Sequence, residues 1–211
     1  EILDLRQIKF IDKYASAFQV GARHMQDYAL LAELSMTEKP VFLKRSMGAT
    51  LDEFLGAAEY LARGSCKPIL IERGGSTHMN HVRWDISVSL IPAVKELTDL
   101  PILVDASHGT GRCDLVEPMT LAGIAAGADG FLVEVHPEPE KSLSDADQAL
   151  PLERFRTLLS KARAIRRTAK PYLDGLRAKR RRVVLPESSH GKKVNLAPTL
   201  REHEFYGKMG R

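Results

Sequence analysis

Short apolar runs recur along the first 170 residues at a pitch of roughly 25–30 residues, a rhythm that limits the possible folds more than anything else in the chain. The runs are Ala17–Ala22, Pro40–Leu43, Pro68–Ile71, Pro101–Val104 and Gly130–Val135, each bounded by turn residues. Segments this short, rich in Val, Ile, Leu and Phe, fit strands buried on both faces of a parallel sheet. Helical patterns fill the intervals. Thr50 and Glu53 make a capping box ahead of Phe54, Leu55, Ala57, Ala58 and Leu61. Ile86, Leu90, Val94 and Leu97 recur at helical spacing, as do Leu115, Met119, Leu121, Ala122 and Ala125 before Gly127. Leu5–Tyr14 is a further amphipathic stretch, and Leu152–Ile165 closes the series. An α/β fold with parallel strands is expected.

Both a (β/α)8 barrel and an open doubly wound sheet accommodate this alternation. No Gly-x-Gly-x-x-Gly follows any strand, which weakens a dinucleotide-binding sheet. The strand ends favour the barrel. They carry Arg23 and His24, Lys44 and Arg45, Glu72 and Arg73, Asp105 and His108, and Glu134 and His136. In a barrel all those ends meet at one mouth, where the chemistry is done. Five strands are clear and Glu1–Leu3 is the stub of a sixth, whereas a complete barrel has eight strands and typically about 250 residues. The expectation is therefore a barrel incomplete at its N-terminus, with about six of the eight strands. It occupies residues 1–169, and a basic tail, 170–211, follows without assignment.

Composition narrows the setting. A chain of 211 residues can bury one good-sized core but not two. No run approaches the roughly 18 apolar residues of a membrane span, and Glu1, Asp4 and Arg6 do not form a signal-peptide pattern. Two cysteines, Cys66 and Cys113, cannot build a disulfide scaffold, and a reducing, cytoplasmic setting fits. The net charge of +4 is uneven. From Lys170 onward, 11 Lys/Arg face 4 Asp/Glu, leaving 20 basic and 23 acidic residues before it. The densest run, Lys179–Arg182, could bind a polyanion, but it lacks interleaved aromatics and a solvated terminus is the preferred reading. Pro171, Pro186 and Pro198 are expected to break up any long helix there.

The strand-end residues define candidate chemistry. Arg23, Lys44 and Arg73 would repel one another at a shared mouth unless an anion neutralised them, so a phosphate ester or carboxylate is expected. The bland alternative pairs each with a neighbouring carboxylate, Arg73 with Glu72 for instance. Asp105, Ser107, His108, Glu134, His136 and Asp145 cluster after the last two strands. One imidazole and two carboxylates could hold Mn²⁺, Fe²⁺ or Zn²⁺, and a His–carboxylate acid/base pair is an open alternative. Ser107–Gly111 offers a glycine-rich turn whose N–H groups could meet a phosphate. A serine-hydrolase triad lacks its Gly-x-Ser-x-Gly elbow. His24, His78 and His81 read as polar surface residues, and both cysteines as inert.

These segments resemble the 3-deoxy-D-arabino-heptulosonate 7-phosphate (DAHP) synthases, in the branch akin to the KDO-phosphate synthases. Gly21–Asp27 is similar to G-A-R-N-M-Q-N, and Lys44–Thr50 with Ala57–Tyr60 to K-R-G-x-x-x-T…A-A-E-Y. Glu72-Arg73-Gly74 matches E-R-G, and Val104–Gly111 resembles V-D-P-S-H-x-x-G. Gly127–Gly130, Glu134–Pro137 and Leu143–Asp145 match G-A-D-G, E-V-H-P and L-S-D. The likeness runs from Glu1 to about Ala169, and Gly-Ala-Arg favours the heptulosonate branch.

The resemblance implies a (β/α)8 barrel, a transferase that condenses phosphoenolpyruvate with erythrose 4-phosphate. That reaction is the first step of the shikimate route to aromatic amino acids. By position it implies that Ala22, Arg23, Lys44 and Arg73 bind phosphoenolpyruvate, that Lys44 and His108 are catalytic, and that His108, Glu134 and Asp145 ligate a divalent metal. The metal would act as a Lewis acid on the aldehyde. Some family features have no counterpart here: the cysteine ligand ending the first strand and the K-P-R-T-S segment that grips the aldose phosphate. Gly75-Ser76-Thr77-His78 stands where I-R-T-F is usual, Ala106 where proline is, and Ser46 where glycine is. A non-catalytic or repurposed barrel that keeps the phosphoenolpyruvate pocket is the alternative function. Exposed sheet edges imply a homo-oligomer or a partner chain that completes the barrel; no membrane or nucleic-acid partner is expected.

Overall fold

In a computed structural model, which describes residues 1–178, the five apolar runs form one parallel sheet in chain order. The strands are β1 (Phe18–Val20), β2 (Pro40–Lys44), β3 (Lys67–Glu72), β4 (Ile102–Asp105) and β5 (Gly130–Leu132). Each pairs only with its sequence neighbours, in registers such as Val20 with Leu43, Leu43 with Leu70, Leu70 with Ile102 and Leu103 with Gly130. Sequential parallel pairing requires a crossover on every connection. Helix α1 (Ile8–Ile11) precedes β1, and the crossovers contain α2 (Tyr28–Ser35), α3 (Leu51–Ala62), α4 (Leu90–Leu97) and, between β4 and β5, α5 (Ala106–Thr110) with α6 (Cys113–Ala125). A long α7 (Leu152–Ala178) follows β5.

Local signals explain several of these boundaries. Thr50 Oγ1 accepts from the Glu53 N–H while Glu53 Oε2 accepts from the Thr50 N–H, so the expected capping box opens α3. The helix then buries Phe54, Ala57, Ala58 and Leu61 against the sheet. Asp27 caps α2 through the Leu30 N–H. Helix α6 lies so close to β4 that a Cβ on Gly123 would stand 2.6 Å from Val104 Cγ1. Cys66 sits before β3, away from the strand ends, with burial pushing its thiol up to about 12. It is a packed, inert thiol, as expected.

The helix expectation fails at one point. Pro171 lies inside α7, which continues to Ala178 instead of ending near Lys170. Proline removes a single intrahelical hydrogen bond, and here it falls on an exposed stretch where water can satisfy the freed carbonyl. Lys179–Arg182 and the remaining tail, including Pro186 and Pro198, lie outside the described residues.

Both edges of the sheet are thinly covered. The predicted stub at Glu1–Leu3 makes a single parallel bridge, Ile2 with Val20, supported by the Ile2 N–H donating to the Gln19 carbonyl at 2.8 Å. Beyond β5 the sheet continues only as the bridge between Val135 and Leu150. All three residues of β5 are half-exposed, whereas β2 and β4 are largely buried.

Candidate active site at the strand ends

Parallel strands place all their C-terminal ends on one side of the sheet, and five groups of polar side chains collect there. Lys44 ends β2 and Asp105 ends β4, with β3 between them. Strands two places apart in a flat sheet are separated by roughly 10 Å, yet Lys44 Nζ stands 3.1 Å from Asp105 Oδ2. The long lysine stem therefore reaches over the end of β3, and both groups are almost fully buried.

Asp105 organises the centre. Its Oδ1 accepts the His108 backbone N–H at 3.0 Å, capping the short helix α5, and its carboxylate lies 2.8–3.0 Å from His108 Nδ1. Burial alone would raise the Asp105 carboxyl; the His108 hydrogen bond and the Lys44 ammonium outweigh it and hold it below the ordinary carboxylate range. Asp105 accepts a hydrogen bond from the Nδ1–H of His108 in the tautomer that turns the Nε2 lone pair toward the mouth. Nε2 lies 3.4 Å from Glu134 Oε1 and 3.9 Å from Asp145 Oδ2. One donor atom from each of His108, Glu134 and Asp145 falls within 4.8 Å of the others.

Two further features hold this trio. Ser107 Oγ accepts the Glu134 backbone N–H at 2.9 Å, tying the end of β5 to the β4 loop. Asp145 takes a left-handed backbone (φ 54°), a conformation that aspartate tolerates better than most residues and that the described chain uses at no other non-glycine position.

The cations divide. Glu72 is completely engaged by Arg45, at 2.5 and 2.9 Å, and by the N–H groups of Gly74 and Ser87 at 3.0 and 3.1 Å. The pairing of Arg73 with Glu72 that sequence proximity allowed does not form. Arg73 is buried over the Trp84 ring at 5.7 Å, its Nη2 donates to the His108 carbonyl at 3.3 Å, and its Nε and Nη1 have no partner. Burial lowers the Arg73 guanidinium below its ordinary value; the Asp105 charge opposes that shift and the Arg83 charge adds to it. Lys44 does follow the bland reading, since Asp105 is its partner. Ala22 and Arg23 lie in the 3₁₀ turn Ala22–His24 after β1, on the same side of the sheet. Arg23 is exposed and forms no ion pair among the described residues.

The glycine-rich segment Ser107–Gly111 is not an open turn. It is the helix α5 with Gly111 as its left-handed cap, and the His108 and Gly111 N–H groups are spent on Asp105 and the Ser107 carbonyl. His78 and His81 are exposed and His24 half-buried, as expected for surface residues. Sequence inspection did not single out Arg83, whose Nη1 lies 3.8 Å from Asp145 Oδ1, nor Trp84 and Gln148. The only available sign was the departure at Gly75–His78, which opens the loop that carries Arg83 and Trp84.

Known proteins bear on this geometry. Residues 1–169 match the DAHP synthetase I family. A phospho-2-dehydro-3-deoxyheptonate aldolase of Thermotoga maritima is 46% identical over 156 residues, 74% of this chain and 46% of that protein. A 2-dehydro-3-deoxyphosphooctonate aldolase of Desulfotalea psychrophila is 28% identical over 178 residues, 79% of this chain and 62% of that one. The structure of a Thermotoga maritima DAHP synthase superposes with a TM-score of 0.76 at 42% identity, covering 79% of this chain and 50% of the other. The chain thus spans about half the length of these Thermotoga relatives. Its parallel sheet and surrounding helices are part of the (β/α)8 barrel on which such relatives are built. No described helix is long and apolar enough to cross a membrane. With its motifs, strand order and residues 1–169 all fitting one pattern, the chain belongs to the DAHP synthetase I family.

Proposed function

We propose that this chain carries the site at which phosphoenolpyruvate condenses with erythrose 4-phosphate, giving DAHP and inorganic phosphate as the first step of the shikimate pathway. Arg73 carries the reading. A buried guanidinium with two unpartnered nitrogens is costly unless an anion completes it. It lies beside Lys44 and His108, where a phosphorylated carboxylate would fit.

In this reading Arg73 and Lys44 grip the phosphate and carboxylate of phosphoenolpyruvate, with Arg23 and the Ala22 backbone closing from the β1 end. C3 of the enol ester bonds to the aldehyde carbon, water adds at C2, and phosphate leaves with its bridging oxygen. Lys44 Nζ, held 3.1 Å from Asp105 Oδ2, steadies the charge that gathers on the departing phosphate. His108, Glu134 and Asp145 would hold the divalent ion; an imidazole nitrogen and two carboxylate oxygens suit Mn²⁺, Fe²⁺ or Zn²⁺ alike. When bound, the ion supplies Lewis-acid polarisation of the aldehyde carbonyl. Asp105 orients His108 from behind, and Ser107 fixes Glu134.

A second reading, a barrel that binds phosphoenolpyruvate without turning it over, draws on Gly75-Ser76-Thr77-His78 standing where the family usually has I-R-T-F. Incubation with Mn²⁺, phosphoenolpyruvate and erythrose 4-phosphate separates the two. One phosphate released per phosphoenolpyruvate consumed is the expected result; bound phosphoenolpyruvate with no release leaves only the second reading.

The thin edges carry a further part of the proposal. A groove of about 570 Å³ runs between β5 and α7, with Phe131, Val133, Phe155 and Leu159 in its wall. Apolar surface of this kind favours self-association, so we infer that copies of this chain associate along that groove. Native mass spectrometry should find assemblies heavier than the 23.4 kDa chain. A purely monomeric spectrum at micromolar concentration would overturn this part.

A further inference from the structure

Arg73 is buried, yet no carboxylate pairs with it among the described residues. Glu72 is spent on Arg45, and Asp105 on Lys44 and His108. Two contacts hold the guanidinium instead. One is the 3.3 Å bond from Nη2 to the His108 carbonyl, and the other is the face of Trp84, 5.7 Å from Cζ to the ring centroid. A guanidinium within about 6 Å of an indole ring is attracted by its negative π face, most strongly where water is excluded.

A ring and a carboxylate hold an arginine differently. A carboxylate would take the guanidinium fork in a bidentate pair and compete with an incoming anion. Indole has no acceptor for that fork, and Arg73 Nε and Nη1 are left without a partner. Burial pulls the Arg73 guanidinium below its ordinary value, and the Arg83 and Arg45 charges push the same way. The Asp105 and Glu72 charges oppose them, and the ring face adds to that side without occupying a nitrogen.

The ring is carried on a clamped backbone. The loop after β3 folds back through reciprocal hydrogen bonds between Gly75 and Asp85, at 2.9 and 3.0 Å. The Arg83 N–H donates to the Thr110 carbonyl and the Trp84 N–H to the Gly109 carbonyl, at 3.0 and 2.8 Å. Gly74 lets Trp84 come this close: its φ is 90°, and a Cβ there would stand 2.7 Å from Trp84 Cβ. Buried tryptophans usually find a partner for the indole N–H, but Trp84 Nε1 is buried and has none. A hydrogen bond therefore does not place the ring; packing and the cation do.

We propose that Trp84 is a positioning residue, whose ring holds the buried Arg73 guanidinium in place with Nε and Nη1 unspent, ready for the phosphate or carboxylate of phosphoenolpyruvate. The assignment rests on the phosphoenolpyruvate-binding part of the function proposed above and not on turnover. It gives a role to the loop whose first residues, Gly75–His78, depart from the family pattern.

Trp84 is the one tryptophan of the 211 residues, so intrinsic emission reports this ring alone. Phosphoenolpyruvate titrated into wild type with Mn²⁺ should change that emission saturably, with the half-saturation that calorimetry gives. Trp84→Phe keeps an aromatic face and loses only an unused N–H, so its phosphoenolpyruvate affinity should stay within about threefold of wild type. Trp84→Leu keeps apolar bulk without the face, and a loss of about tenfold is expected, with unchanged far-ultraviolet circular dichroism as the check on folding. Equal affinity in wild type and Trp84→Leu would overturn the proposal alone. So would a loss in Trp84→Phe as large as about tenfold, or emission that is unmoved at saturating phosphoenolpyruvate; these two results decide even if Trp84→Leu does not fold. Wild type that binds no phosphoenolpyruvate at millimolar concentration would overturn both the proposal and the reading beneath it. If the variants behave as expected and no phosphate is released with erythrose 4-phosphate, Trp84 keeps its role and the condensing function falls.

Discussion

His108→Ala is expected to abolish saturable Mn²⁺ binding, and with it phosphate release. The imidazole is the one nitrogen donor of the proposed ligand set, and the remaining Glu134 and Asp145 carboxylates are partly exposed. Their charges would then be screened by solvent and hold a divalent ion weakly. Changing an outer partner of a metal ligand typically costs about 10–100-fold in affinity, so loss of the ligand itself should exceed about 100-fold. Asp105→Asn provides the graded comparison. Asparagine can present its amide N–H to Nδ1 and so favour the tautomer with its proton on Nε2, which cannot ligate. An intermediate loss of about 10–100-fold is expected, without loss of the side-chain volume. Electron paramagnetic resonance of free Mn²⁺ in a titration reads both variants. Unchanged affinity in His108→Ala would refute the ligand assignment outright.

The sequence made one half of this arrangement readable and concealed the other. Strand positions were legible because each β-run is apolar throughout and bounded by turns, and the capping box at Thr50 and Glu53 marks a helix start chemically. The ligand candidates were legible for a topological reason. In a parallel sheet, residues just past the strand ends must share one side, so Lys44, Asp105, His108 and Glu134 could be grouped with no knowledge of side-chain contacts. Which cation meets which carboxylate was not legible. Adjacent strand residues point to opposite faces, so Glu72 turns away from its neighbour Arg73 and finds Arg45 across the sheet, 27 positions distant. Arg83 escaped notice because it lies in an irregular loop. Its place depends on backbone bonds to Gly109 and Thr110 that no periodicity announces. The course of α7 through Pro171 was missed for the converse reason: a proline signal is local, and an exposed helix can lose one hydrogen bond to water and continue.

Glu72→Ala should cost more stability than any other single change among the strand-end residues. Glu72 is fully buried and accepts from Arg45 Nε and Nη2 and from the Gly74 and Ser87 backbone, joining β2, β3 and the loop after β3. Truncation leaves the buried Arg45 guanidinium with only carbonyl partners, Ser46 at 3.3 Å and Ala49 at 3.0 Å. Breaking a buried pair from one side costs about 3–5 kcal/mol, because the surviving charge keeps its desolvation penalty. Domains hold only about 5–15 kcal/mol in total, so the variant should unfold at markedly lower urea than wild type, and a large unfolded fraction at 37 °C is expected. The double variant Arg45→Met, Glu72→Leu removes both charges while filling most of the volume, and should recover much of the loss. Urea titrations followed by circular dichroism measure both. If Glu72→Ala loses less than about 1 kcal/mol, as an exposed ion pair would, then Arg45 and Glu72 are not the buried tie between β2 and β3. If the double variant is as unstable as the single one, the backbone bonds at Gly74 and Ser87, rather than the stranded charge, carry the cost, and the loop bearing Arg83 and Trp84 should then be the first element to lose protection in hydrogen exchange.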